Sequence, residues 1–152
     1  MKVLFICTGN TCRSPMAEGY LKDLAEKAGR LDIQVLSAGT GAFPGQAASA
    51  HGIAILSDEG IDLKDHQSRQ VEKIFLEASD LILTMGRNHK SQLIQAFPEM
   101  KEKIFTLHEY AGEEGEVSDP FGGSRSEYEQ TAKEIRGLVE KVWGKIADLQ
   151  EK

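Results

Sequence analysis

Cys7 and Arg13 stand six positions apart in the run Cys7-Thr8-Gly9-Asn10-Thr11-Cys12-Arg13-Ser14, and such a pair can hold and attack a phosphoryl group. A cysteine supplies a sulfur nucleophile, and a guanidinium binds two phosphoryl oxygens with one planar fork. The spacing by itself recurs by chance in roughly one chain in a dozen of this composition. The setting carries the signal, because the run lies between an apolar stretch that reads as a strand and a segment that reads as a helix. An arc so placed turns successive backbone N–H groups toward an anion, and the helix dipole adds to them. Thr8, Gly9, Asn10, Thr11, Cys12 and Arg13 are therefore the expected phosphate-binding residues. Gly9 and Asn10 are residue types that accept the left-handed backbone of such an arc. The same field favours the thiolate form of a cysteine at its centre, the form that attacks. The plain alternative is a small buried cysteine at a strand end beside a solvated arginine.

Displacement at phosphorus also needs an acid for the leaving group and then a base for water. Asp119, in Ser118-Asp119-Pro120-Phe121, is the candidate. It falls in the loop after the last predicted strand, on the side where the carboxyl ends of a parallel sheet gather, although an Asp-Pro turn is the competing reading. Cys12 has two readings as well. It is either a small packed residue or the partner that captures an oxidised Cys7 as a disulfide, which requires the loop to rearrange.

The elements that must position these residues read as alternating strands and helices. Residues 1–6 (MKVLFI) predict a buried strand ending at Cys7, followed by a helix over 15–28 with Ser14 as N-cap, Pro15 at its first position and Gly29 as its stop. Residues 32–36 predict a second strand, 37–45 a loop of small residues, 47–57 a helix, 60–68 a connection and 69–78 an amphipathic segment. A third strand is expected over 81–85, a helix over 88–97 stopped by Pro98, a fourth strand over 103–107 and a loop over 111–123. Ser124 and Glu127 form a capping-box pattern ahead of a long helix reaching Leu149. This order predicts a doubly wound α/β sheet whose ligand sits beyond the carboxyl ends of the strands, where Cys7 falls.

The length of 152 residues predicts one domain, 1–152, with a full core. Two cysteines this close together offer neither a disulfide framework nor zinc-binding pairs. A net charge of -6 without a Lys/Arg cluster argues against nucleic acid and anionic membranes as partners, so any anion must be captured by a local positive site. The apolar run at the start is too short for an export signal, which predicts a cytoplasmic protein.

The run Cys7 to Ser14 continues as Pro15-Met16-Ala17-Glu18, and is followed by Ser37-Ala38-Gly39-Thr40, His66 with Ser68-Arg69, Leu83-Thr84-Met85 and Asp119-Pro120. Taken in order, these segments resemble the low-molecular-weight protein tyrosine phosphatases along essentially the whole chain. The resemblance implies a four-stranded parallel sheet flanked by helices on both faces, with no metal and no cofactor. It implies a phosphocysteine intermediate on Cys7, Arg13 as phosphate clamp, and Asp119 as general acid and then base. It also implies that Asn10, Ser14, Ser37 and His66 brace the loop, a role for which nothing else in the sequence marks His66. Phosphorylated proteins are the implied partners of a monomeric enzyme.

Two departures from the tyrosine-specific pattern bear on substrate. Thr11 stands where those enzymes usually carry a larger aliphatic residue, and Phe121-Gly122-Gly123 follows Asp119-Pro120 where they usually carry further aromatics. Both features resemble the bacterial protein-arginine phosphatase branch. A tyrosine ring calls for aromatic walls, whereas a phosphoguanidinium is slimmer and polar and suits a hydroxyl and a nearby carboxylate. Thr11 and Phe121 are thus the expected selectors, with Phe43 either a further wall or a plug of the core. The acidic stretch Glu113-Glu114-Gly115-Glu116 either favours cationic surroundings or is a solvated turn. Phosphoarginine is the leading substrate and phosphotyrosine the alternative. Arsenate reduction is a third reading, weakened because the bacterial reductases of this fold use a further downstream cysteine and this chain has none after Cys12. A phosphocarrier is the fourth, against which Arg13 and Asp119 point to hydrolysis.

Overall fold

The computed structural model describes residues 1–149. Four parallel strands form one sheet in the order β2-β1-β3-β4, with β1 at Lys2–Cys7, β2 at Gln34–Gly39, β3 at Leu81–Thr84 and β4 at Ile104–Thr106. The helices are α1 (Arg13–Lys27), α2 (Ala50–Asp58), α3 (Lys73–Ala78), α4 (Arg87–Ala96), α5 (Leu107–Tyr110) and α6 (Arg125–Leu149). Strand alternation divides the apolar residues between two cores. Val3, Phe5 and Cys7 of β1 join Val35, Leu81 and Leu83 in a core closed by α1 and α6. Leu4 and Ile6 face the other way, with Ala38, Ile82 and Ile104, against Leu76 of α3, Leu93 of α4 and Met100. Helices therefore cover both faces, and burial of each of these large side chains contributes about 1.5–3 kcal/mol. Among the described residues no helix is long and apolar enough to cross a membrane.

Several expected boundaries move, each for a tertiary reason. β2 runs over Gln34–Gly39 rather than 32–36, because its pairing with β1 extends to Cys7 opposite Gly39; Ser37 is thus a strand residue rather than the start of a loop. α2 starts at Ala50, where the Ser49 hydroxyl accepts the Gly52 N–H, rather than at 47. The segment expected to be amphipathic from 69 is extended at first. Gly39 donates to Arg69 O and accepts from Val71 N, and helix begins only at Lys73. The fourth strand ends at Thr106, where Thr106 and Glu109 form a reciprocal capping box that opens α5. A 3-10 turn at Pro98–Lys103, absent from the expected elements, leads into that strand. α1 begins at Arg13 with Cys12 as N-cap, so Ser14 is not the cap. Its hydroxyl is turned to Cys7 instead. The Ser124–Glu127 capping box does open α6, with Glu127 N–H donating to Ser124 Oγ at 3.2 Å.

Candidate active site

Cys7 ends an inner strand, and the loop from Thr8 to Cys12 carries the chain into α1. The carbonyls of this loop are held from outside. Cys7 O accepts from Thr40 N at 2.9 Å, Thr8 O from Gly41 N at 3.0 Å and Thr11 O from Ser49 N at 2.8 Å. Asn10 O lies 2.7 Å from His66 Nε2, which donates to it. The amides of Gly9, Asn10, Thr11 and Cys12 donate to no protein acceptor among the described residues. A loop with these carbonyls held from outside and its amides free, ending at a helix N-terminus, is an anion cradle.

Asn10 holds the arc in shape. It has φ 56, the one positive φ among the described non-glycine residues, and is fully buried. Its Nδ2 donates to Ser14 Oγ at 2.8 Å and to Ser37 Oγ at 2.9 Å, and its Oδ1 accepts from Arg69 N at 3.0 Å. Ser37 in turn donates to Glu18 Oε1 at 2.5 Å. The four residues expected to brace the loop, Asn10, Ser14, Ser37 and His66, thus form one network. Glu18 is a further member, reached through Ser37. Gly39 is another, because a Cβ there would fall 2.3 Å from Thr8 O.

Cys7 is buried, and its Sγ lies 2.9 Å from Ser14 Oγ, within hydrogen-bond reach. Arg13 donates through Nη1 to Val117 O at 3.1 Å and brings Nη2 to 3.6 Å from Asp119 Oδ2. The Asp119 segment is placed there by the sheet, since Val117 N donates to Met85 O just beyond β3. Asp119 remains half-exposed, with Oδ1 accepting from Phe121 N at 3.1 Å.

Thr11 is partly buried in mid-loop, with its Oγ1 3.7 Å from Cys12 Sγ. Cys12 is a free thiol, 3.2 Å from the Tyr128 hydroxyl of α6. Burial and that contact push the Tyr128 pKa up to about 12, so the phenol keeps its proton. Phe43 and Phe121 are 75% and 77% exposed, which removes the reading of Phe43 as a core plug. Two acids of the 113–116 stretch serve internal contacts: Glu113 pairs with Lys141, and Glu116 Oε1 accepts the Arg87 N–H at 2.6 Å. His89, which no sequence signal marked, reaches Thr8 Oγ1 at 2.9 Å.

Residues 2–152 match the family described as low molecular weight phosphotyrosine protein phosphatase. The chain is 42% identical over 143 residues to a protein-arginine-phosphatase of Bacillus subtilis, covering 93% of this chain and 94% of that one. It is 40% identical over 142 residues to the low molecular weight protein-tyrosine-phosphatase PtpB of Staphylococcus aureus, covering 93% and 96%. A solved structure of the arginine phosphatase YwlE, in which serine replaces a cysteine and the active site serine is phosphorylated, superposes with a TM-score of 0.93 at 38% identity, covering 100% and 98%.

Proposed function

Since this chain belongs to the low molecular weight phosphotyrosine protein phosphatase family, we propose that it hydrolyses phosphoarginine in proteins through a phosphocysteine on Cys7. The observation that carries the chemistry is the cradle of free amides after Cys7, closed by an Arg13 that touches Asp119. The Cys7 thiolate attacks phosphorus, the S–P bond forms as the P–N bond breaks, and Asp119 gives its proton to the departing guanidine. Water then attacks the phosphocysteine, Asp119 takes a proton from it, and the S–P bond breaks to release phosphate and restore the thiolate. Arg13 and the loop amides carry the charge on the phosphoryl oxygens in both steps.

Arginine specificity is supported by Thr11 in mid-loop, by the open Phe121-Gly122-Gly123 segment and by the match to protein-arginine-phosphatases. Tyrosine phosphatase activity is the second reading, favoured by the match to PtpB. Otherwise identical peptides carrying phosphoarginine or phosphotyrosine separate the two, with a higher kcat/KM expected on phosphoarginine. The nucleophile is tested by Cys7→Ser, which should abolish turnover while keeping fold and phosphate binding. Iodoacetamide should label Cys7 rapidly, and phosphate should block it. Unchanged turnover in Cys7→Ser would remove the whole reading.

A further inference from the structure

His89 has no part in the phosphoryl transfer above, yet it is buried and touches the loop that performs it. It is the third residue of α4, where its Nδ1 accepts the Gly86 N–H at 3.1 Å. A neutral imidazole that accepts at Nδ1 carries its proton on Nε2. Nε2 lies 2.9 Å from Thr8 Oγ1, so the ring donates and the Thr8 hydroxyl accepts. The ring is a strut between the start of α4 and the residue that follows Cys7, with its tautomer set by a backbone amide.

Thr8 is held on its other side as well, its carbonyl accepting from Gly41 N at 3.0 Å over the glycine at position 39. Backbone and side chain of the first loop residue are therefore fixed separately. An oxygen that accepts from His89 also leaves its own proton free to donate, and the strut sets the direction of that hydroxyl. Beside it opens a cavity of about 310 Å³ walled by Thr8, Arg13, Asn88, His89, Gln92 and Glu116, among others. We propose that His89 is a positioning residue for catalysis, locking Thr8 and with it the loop from Cys7 to Arg13 in the geometry that transfers the phosphoryl group. This rests on the reading of Cys7 as nucleophile.

Two substitutions separate the ends of the strut. Asn at position 89 keeps an acceptor near the Nδ1 position and so keeps the Gly86 contact, but has nothing at the Nε2 position. Gln reaches that position with an amide N–H. With para-nitrophenyl phosphate as substrate, His89→Asn and Thr8→Val should each lower kcat about tenfold, the worth of one well-placed hydrogen bond, with a smaller change in KM. His89→Gln should recover most of the loss, and the double variant of Asn and Val should be no worse than either single one. Thr8→Val removes the same bond without touching α4, so it tests the proposal even if His89→Asn fails to fold. Wild-type kcat in Thr8→Val, losses that multiply in the double variant, or a Gln variant no better than Asn would each overturn it. Turnover that Cys7→Ser abolishes leaves the nucleophile standing in all three cases. Turnover that survives Cys7→Ser brings down both.

Discussion

Arg13 and Asp119 meet with Nη2 3.6 Å from Oδ2, while the other terminal nitrogen of the same guanidinium is committed to Val117 O at 3.1 Å. An ion pair to a half-exposed carboxylate contributes at most about 1 kcal/mol, so its value is positional rather than energetic. It keeps an accessible carboxylate beside Arg13, where the proposed acid must stand, and the Phe121 amide steadies its second oxygen. Asp119→Asn should therefore lower turnover about 10²- to 10⁴-fold, the range for losing acid–base assistance, with a smaller effect on phosphate binding. Steady-state kinetics alongside phosphate competition measures both, and near-wild-type turnover would reduce Asp119-Pro120 to a turn.

The loop of free amides was legible in the sequence because it is local: Cys7 to Arg13 is one contiguous run between a strand and a helix start. What was not legible depends on contacts between distant segments. Small residues Ser37-Ala38-Gly39 have little strand preference and are extended because β1 pairs with them. Arg69 to Val71 stays out of α3 for the same kind of reason, its backbone taken by Gly39. Ser14 has the composition of an N-cap, yet its hydroxyl serves Cys7 and Asn10. The capping box of Thr106 and Glu109 was a local signal that could have announced α5. Nothing local tied His89 or Glu18 to the loop, since the partners that do so, Thr8 and Ser37, lie 81 and 19 positions away.

Asn10 concentrates the stability of the loop. Asn10→Ala should cost about 3 kcal/mol or more, because buried partners in Ser14, Ser37 and Arg69 are left unpaired and alanine is strained at this φ. Asn10→Gly should be less damaging, since it relieves the strain while losing the same hydrogen bonds. Urea midpoints at unchanged slope report both; equal losses would mean that backbone strain contributes nothing.

Acid should weaken the fold through His89. Burial, reinforced by the Arg13 charge, pushes its pKa below the ordinary 6.5, against the opposing pull of Asp119, Glu116 and the Gly86 backbone. A depressed histidine binds its proton more readily unfolded, so this contribution is complete above about pH 6.5 and is lost as pH falls through the folded value. Melting temperatures from pH 7 to 5 should fall more steeply for wild type than for His89→Gln. Parallel curves would show that the imidazole does not titrate between these limits.

Cys12 and Cys7 should form a reversible oxidation pair. Peroxide takes Cys7 to the sulfenic acid, the Cys12 sulfur attacks it, and hydroxide leaves as the disulfide forms. To do so Cys12 must leave the Tyr128 hydroxyl 3.2 Å away. Mild peroxide should then inactivate with loss of both thiols and full recovery by reductant, and Cys12→Ser should recover incompletely. Mass spectra of oxidised protein without a bridge would return Cys12 to a packing role.

Thr11 should be the residue at which substrate choice can be tuned. It sits in mid-loop, partly buried, with its carbonyl fixed by Ser49 N, so a change of side chain should leave the arc in place. Thr11→Ile removes a hydroxyl and adds apolar bulk, which crowds and desolvates a guanidinium and gives a phenyl ring a better surface. A difference of about 1.4 kcal/mol between the two transition states changes their relative rates tenfold, well within reach of one such contact. Wild type should prefer the phosphoarginine peptide, and the variant should move toward phosphotyrosine in the ratio of kcat/KM values. The comparison uses identical peptides at one pH, corrected for spontaneous phosphoarginine hydrolysis. If the ratio holds constant within error, Thr11 is not the selector, and among the residues singled out for specificity only Phe121 and the glycines after it remain.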